Sequence, residues 1–232
     1  MVIRLVWVAA TAAILAVPGV AACSRSSDGT AVRADVATAT TTVPASPKPT
    51  TSDTPESSEP GVLETTRQPI PPNAVVCPQQ PSAQTAMATV TDPAAPRITV
   101  NLPDGWSAAP GSGNVGASLT GPDGMVAEIT ITATPLDAAA AFTRYSDDVM
   151  DKYPISTLSL LPADLCDYSG QKLMGTWADN PDRSIQYTDR IAHIWTNTKN
   201  YLVAIHVQAP SDTPGFDDAA SVLTGDFSVG IP

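Results

Sequence analysis

Histidine, cysteine, aromatic and basic residues are all scarce in this 232-residue chain. It holds two histidines, three cysteines, twelve aromatics and twelve Lys plus Arg against 23 Asp plus Glu. The net charge of -11 and the pI near 4.3 exclude a surface that neutralises nucleic-acid phosphates or holds anionic lipid by charge alone. Two histidines without a His-x-x-x-His or Cys-x-x-Cys spacing argue against a metal centre, and no cofactor is expected. P-loop, Gly-x-Ser-x-Gly and EF-hand patterns are missing too. Gly111-Ser112-Gly113-Asn114-Val115-Gly116 has the letters of a dinucleotide loop, but a strand follows it where that loop needs a helix N-terminus. No enzyme class is therefore indicated. Nothing after the first 22 residues is apolar enough to span a bilayer, which takes about 20 consecutive apolar residues.

What is present begins with an export signal. Met1 and Arg4 precede an uncharged run from Leu5 to Val17, the n-region and h-region of a signal peptide over residues 1–22. The run stops at Val20-Ala21-Ala22-Cys23, which resembles the lipobox of bacterial lipoproteins. That resemblance implies cleavage before Cys23, a diacylglyceryl thioether and further acylation (palmitate) there, and anchoring on the extracytoplasmic face of a bacterial cell membrane. Residues 23–72 then read as a lipidated cysteine and a disordered linker. From Ser24 to Pro72 there is no Phe, Trp or Tyr, and 21 of the 37 residues from Val36 to Pro72 are Pro, Thr or Ser. Such a stretch cannot bury enough apolar surface to fold.

Residues 73–232 read as one domain with 17 acidic and 7 basic side chains. Alternation at Ile98, Val100 and Leu102 predicts a strand, and Gly121-Pro122-Asp123-Gly124 predicts a hairpin turn between two more. Apolar residues at Ala138, Ala141, Phe142, Tyr145 and Val149 predict a helix with Asp137 near its start. Residues 184–195 and 201–209 form a long hairpin in this reading, joined by the polar stretch 196–200, with Trp195 opposite Tyr201. In that register Ile185, Tyr187, Ile191 and Trp195 share a core face, His206 lies beside Arg190, which keeps it neutral, and the two histidines face apart. Thr213 and Pro214 open a second helix through Phe216, Ala219, Ala220 and Leu223. The fold class is α+β, an antiparallel sheet with two helices on one face.

The order of these pieces, from Ile98-Thr99-Val100-Asn101-Leu102-Pro103-Asp104-Gly105-Trp106 to Ala209-Pro210 before a helix and a short strand, resembles the LpqN/LpqT-type lipoproteins of mycobacteria. The resemblance spans about residues 95–230 and implies a Mog1/PsbP-like domain in the cell envelope, with no functional residue carried over.

Cys77 and Cys166 remain once Cys23 is assigned to lipid. In an oxidising compartment they read as a disulfide pinning the Pro-rich entry segment to the domain. Trp106 and Trp177, each beside a turn, are the candidate binding residues. Together with the 111–116 loop they are expected to cluster at one end of the sheet. The resulting expectation is a membrane-tethered, non-enzymatic binding or adaptor domain whose partner is an envelope protein or glycolipid. The alternatives are a carrier of an acyl chain or glycolipid in an internal cavity, and an envelope hydrolase with an unrecognised site.

Overall fold

The computed structural model describes residues 59–80, 82–180 and 183–232. The expected signal peptide, the lipobox with Cys23 and the part of the expected linker up to residue 58 lie outside the described residues. Within them the elements run β1 (Val75–Val76), β2 (Thr85–Ala88), β3 (Arg97–Asn101), β4 (Ser107–Pro110), β5 (Val115–Thr120), β6 (Val126–Thr134), α1 (Ala138–Met150), β7 (Ile155–Ser156) and β8 (Ser159–Pro162). There follow β9 (Gly170–Asn180), β10 (Arg183–Trp195), β11 (Asn200–Pro210), α2 (Phe216–Leu223) and β12 (Ser228–Gly230). The strand pairs are antiparallel and form a small sheet, β1-β12-β3-β2, and a large one, β4-β5-β6-β11-β10-β9-β7 with β8 also on β9. The α+β class expected from the periodicities is thus observed.

Local chemistry sets the element ends. Asp137 does more than complement the helix dipole: it is the N-cap of α1, and its carboxylate accepts from the Ala140 amide at 2.9 Å. The β5–β6 turn over Pro122–Gly124 puts Asp123 and Gly124 at φ +52° and +78°. Thr213 does not cap α2. Its hydroxyl donates to the Pro210 carbonyl at 2.6 Å and closes the preceding turn, so the cap position falls to Gly215 at φ +74°.

The hairpin register corrects the sequence reading. Trp195 pairs with Asn200, not Tyr201, because the connection is the four residues 196–199. Asn197 takes the left-handed φ of +70° that a turn this short requires. A slip of one residue exchanges the faces of one strand relative to its partner. Tyr187 and Ile191 therefore point away from Tyr201, Val203, Ile205 and Val207, and the large sheet is buried on both faces. On one side α1 packs Ala138 and Phe142 against Leu173, Ile191 and Ala204. On the other, Val203, Ile205 and Val207 join Ile98, Val100, Leu119, Ile129 and the Phe216 and Leu223 face of α2. The two helices thus lie on opposite faces of the sheet, not on one. Each large apolar side chain buried this way contributes about 1.5–3 kcal/mol.

Residues 59–72, read as linker, lie along the domain. Gln171 Nε2 donates to the Pro60 carbonyl at 2.8 Å, the Gly170 amide to Gly61 at 2.9 Å, and Ser169 Oγ accepts from the Leu63 amide at 2.9 Å. At the other end Asn197 accepts from the Ile70 amide and donates to its carbonyl, both at 2.8 Å. This strap is held because its backbone groups find partners, which the scarcity of apolar side chains did not reveal. Cys77 and Cys166 are bridged, with Cα atoms 5.8 Å apart, joining the chain after β1 to the β8–β9 loop.

Candidate functional site

An aromatic stack grows from the register of β9 on β10. Trp177 pairs with Ile185 and Gly175 with Tyr187, so the two rings are diagonal neighbours on the α1 face. They stack with centroids 4.5 Å apart; His206 adds a third ring 5.3 Å from Trp177, and Tyr153 a fourth at 5.1 Å. Lys152 Nζ lies 4.4 Å from the Trp177 ring centroid, a cation–π contact. Gly175 makes room for this. A Cβ there would stand 2.6 Å from the Tyr187 hydroxyl and 2.0 Å from the Thr157 carbonyl to which that hydroxyl donates at 2.9 Å.

Beside the stack sits a buried carboxylate. Asp189 is 0% exposed and faces His206 across the β10–β11 pair. His206 Nδ1 lies 2.5 Å from Asp189 Oδ1, the Tyr145 hydroxyl donates to Oδ2 at 3.0 Å, and His206 Nε2 meets Gln208 Oε1 at 3.1 Å. Burial by itself disfavours the imidazolium. The hydrogen bond and charge of Asp189 and the Gln208 acceptor more than offset both that and the repulsion from Lys152, so the His206 imidazole is raised above its ordinary 6.5. Burial and the same carboxylate push the Tyr145 phenol well above 10. His206, with 18% of its side chain exposed, borders a cavity of about 380 Å³ shared with Ser118, Glu128, Lys152 and Gln208.

The arrangement can hold and exchange a proton at His206. Asp189 fixes the tautomer by accepting from Nδ1, as a carboxylate does in acid–base pairs. Ser118 is the hydroxyl in the same cross-strand row, since His206 pairs with Glu128 and Glu128 with Ser118. It stands two strands away, roughly 9–10 Å at the usual spacing and beyond hydrogen-bond reach. Among the described residues no group of three or more His, Cys, Asp or Glu side chains stands where it could hold a metal ion, and no helix is long and apolar enough to cross a membrane.

A larger cavity, about 540 Å³, opens at the end of the β9–β10 hairpin between Tyr153, Trp177, Asp179, Arg183, Ile185 and Asp212. Of the two candidate tryptophans, Trp177 borders this cavity although its side chain is 1% exposed. Trp106 does not: it is 5% exposed and lies against Gly121, where a Cβ would stand 2.3 Å from its ring. Trp106, the β5–β6 turn and the paired ends of β9 and β10 at Asn180 and Arg183 occupy one end of the large sheet, whereas the 111–116 loop is at the other, because β4 pairs Ser107 with Thr120 and Pro110 with Ala117. The expected cluster of three loops is therefore only two.

Trp195 is half-buried, not core. It borders a cavity of about 380 Å³ beneath the strap, with Gln68, Ile70, Tyr168 and the disulfide. The histidines share the α1 face, contrary to the expected register. They are four register positions apart, about 13 Å along the strand, so His193 serves elsewhere: its Nε2 lies 3.0 Å from the Leu136 carbonyl. Arg190 points to the other face, donating to the Asp164 carbonyl at 2.9 Å and pairing with Asp226 at 3.3 Å; the neighbour of His206 is Asp189, which favours the protonated imidazole where the expected Arg190 would have disfavoured it. Asp147 and Asp148 are exposed on α1. The Tyr145, Asp189 and His206 cluster was missed from sequence, although an acidic residue two places from both Tyr187 and Ile191, on their face, is the signal of a buried charge.

No protein-family model matches the chain, and no curated protein matches it. Among solved structures it is similar to LpqN of Mycobacterium tuberculosis, a protein involved in cell envelope biogenesis. The similarity covers 63% of this chain and 91% of that one, at 18% identity and a TM-score of 0.49.

Proposed function

We propose that this chain is an extracytoplasmic lipoprotein, anchored through Cys23, whose Mog1/PsbP-like domain of the LpqN/LpqT type is carried on a disordered linker and binds an envelope protein or glycolipid without catalysing a reaction. The observation that carries the binding reading is the cavity at the β9–β10 end. Asp179, Arg183 and Asp212 set charges of both signs around Tyr153, Trp177 and Ile185, the mix of aromatic floor and polar rim that recognition sites use. Such a rim suits a polar or basic partner surface better than an acyl chain, which favours the adaptor over the carrier. The absence of catalysis is supported by the separation of Ser118 from His206. A lipid anchor and a tether confine the domain near other membrane-bound molecules, so weak contacts suffice.

The test is photocrosslinking in intact cells from a reactive residue introduced at Arg183, in chains with and without Cys23→Ala. A specific envelope adduct that disappears when Asp179 and Asp212 are both changed to Lys, and weakens when the anchor is removed, supports the reading. A purified domain that turns over esters, peptides or glycans, and loses that activity on a single substitution, overturns it.

A further inference from the structure

The two side-chain hydrogen bonds to Asp189 come from different layers. His206 belongs to β11, within the sheet, and Tyr145 to α1, which covers it. The carboxylate is thus a joint between helix and sheet, at the point where the second half of α1 begins. Two cavities flank the joint. One, about 440 Å³, lies between Arg144 and Tyr145 of α1 and Thr130 and Thr132 of β6. The other, about 380 Å³, lies between Lys152, just past the end of α1, and His206, Gln208 and Glu128. Both have α1 or its exit as one wall.

We infer that Asp189, His206 and Tyr145 form a proton-operated latch: while His206 is protonated the second half of α1 is held on the sheet, and loss of that proton releases it and widens the two flanking grooves. A buried carboxylate is tolerated when a cation compensates it, and becomes costly when only neutral donors remain. With a neutral imidazole, Asp189 keeps two neutral hydrogen bonds and no countercharge. Admitting water relieves this, and the elements around the joint differ in what they can yield. β10 and β11 are paired from Ile185–Pro210 to Trp195–Asn200 and cannot part locally. The end of α1 is held by Val149 against Trp177 and Tyr187, by Tyr145, and by the Lys152 contact on Trp177.

The charged and titratable groups around His206 agree with this sense of action. From β10 come Asp189 and Tyr187, the latter pushed up to about 12 by burial and by Asp189; from α1 and its exit come Tyr145 and Lys152; from β6 comes Glu128, exposed to solvent. The two phenols are raised and stay neutral, which leaves His206, raised above 6.5, as the group whose proton the joint answers to.

The test is an NMR titration of the full-length chain, following the His206 ring and the exchange protection of amides from Tyr145 to Met150. The expected result is a His206 midpoint above 6.5, with α1 protection falling at the same midpoint by up to about tenfold per pH unit, the limit for one linked proton. Tyr145→Phe should keep the raised His206 midpoint while the protection of α1 loses its pH dependence. Asp189→Asn should bring the midpoint down to 6.5 or below. If that variant does not fold, the wild-type and Tyr145→Phe titrations decide alone. A raised His206 midpoint with unchanged α1 protection, a midpoint at or below 6.5, or a Tyr145→Phe chain that keeps the full pH dependence of α1 overturns the latch.

Discussion

His206 meets Asp189 through Nδ1 across the β10–β11 pair, and the carboxylate has no exposed surface of its own. The two members of this pair are not equivalent in what their loss leaves behind. His206→Ala strands a buried charge and is expected to cost about 3–5 kcal/mol. Asp189→Asn leaves an imidazole that can become neutral, and should cost less. Urea denaturation of both variants at pH 6 checks the order; equal or reversed losses would contradict it.

The two histidines should tilt the stability curve in opposite directions. His206 has a folded pKa above its unfolded value, so its contribution is complete below about 6.5 and is lost as pH rises through the folded value. His193 is lowered by burial, which outweighs its contact with the Leu136 carbonyl; stability is lost as pH falls from about 6.5 toward its folded value, because the unfolded chain takes up the proton first. His206→Gln should flatten the alkaline limb of the urea-midpoint profile, and His193→Gln the acid limb.

The disulfide joins Cys77 to Cys166, 89 positions apart in sequence. In the chain-entropy treatment a loop of that size contributes about 4–5 kcal/mol. Replacing both cysteines by Ser should lower the thermal midpoint markedly, and reductant should lower that of the wild type but not of the variant. Calorimetry with and without reductant measures both.

Asn197 serves two structures at once: it takes the left-handed turn position between β10 and β11 and pairs twice with Ile70 of the strap. Asn197→Gly keeps the turn conformation and removes both hydrogen bonds, together worth about 1–3 kcal/mol. Limited proteolysis within residues 64–69 should accelerate in this variant while global unfolding changes little. An unchanged cleavage rate would mean the strap is held by its other end.

Gly121→Ala places a methyl group against the buried Trp106 ring, with the Cβ 2.3 Å from its nearest atom. Overpacking of this kind costs about 1–3 kcal/mol. A shifted urea midpoint with an altered Trp emission is the expected signature.

The sequence alone was enough for the α+β class, the extent of α1, the β5–β6 hairpin and the Cys77–Cys166 bridge. Each rests on a local signal: a 3.6-residue period, a Gly-Pro-Asp-Gly turn, or two cysteines left over once Cys23 is read as the lipidation site. Tertiary structure decided the rest. The register of β10 on β11 depends on one residue of turn length between Trp195 and Asn200, and that single residue sets which face each side chain joins. It moved the helices to opposite faces, brought both histidines under α1 and put His206 against Asp189 instead of Arg190. The strap was decided the same way, because residues 59–72 are held through backbone hydrogen bonds to Ser169, Gly170, Gln171 and Asn197, partners about a hundred residues away that no local pattern encodes.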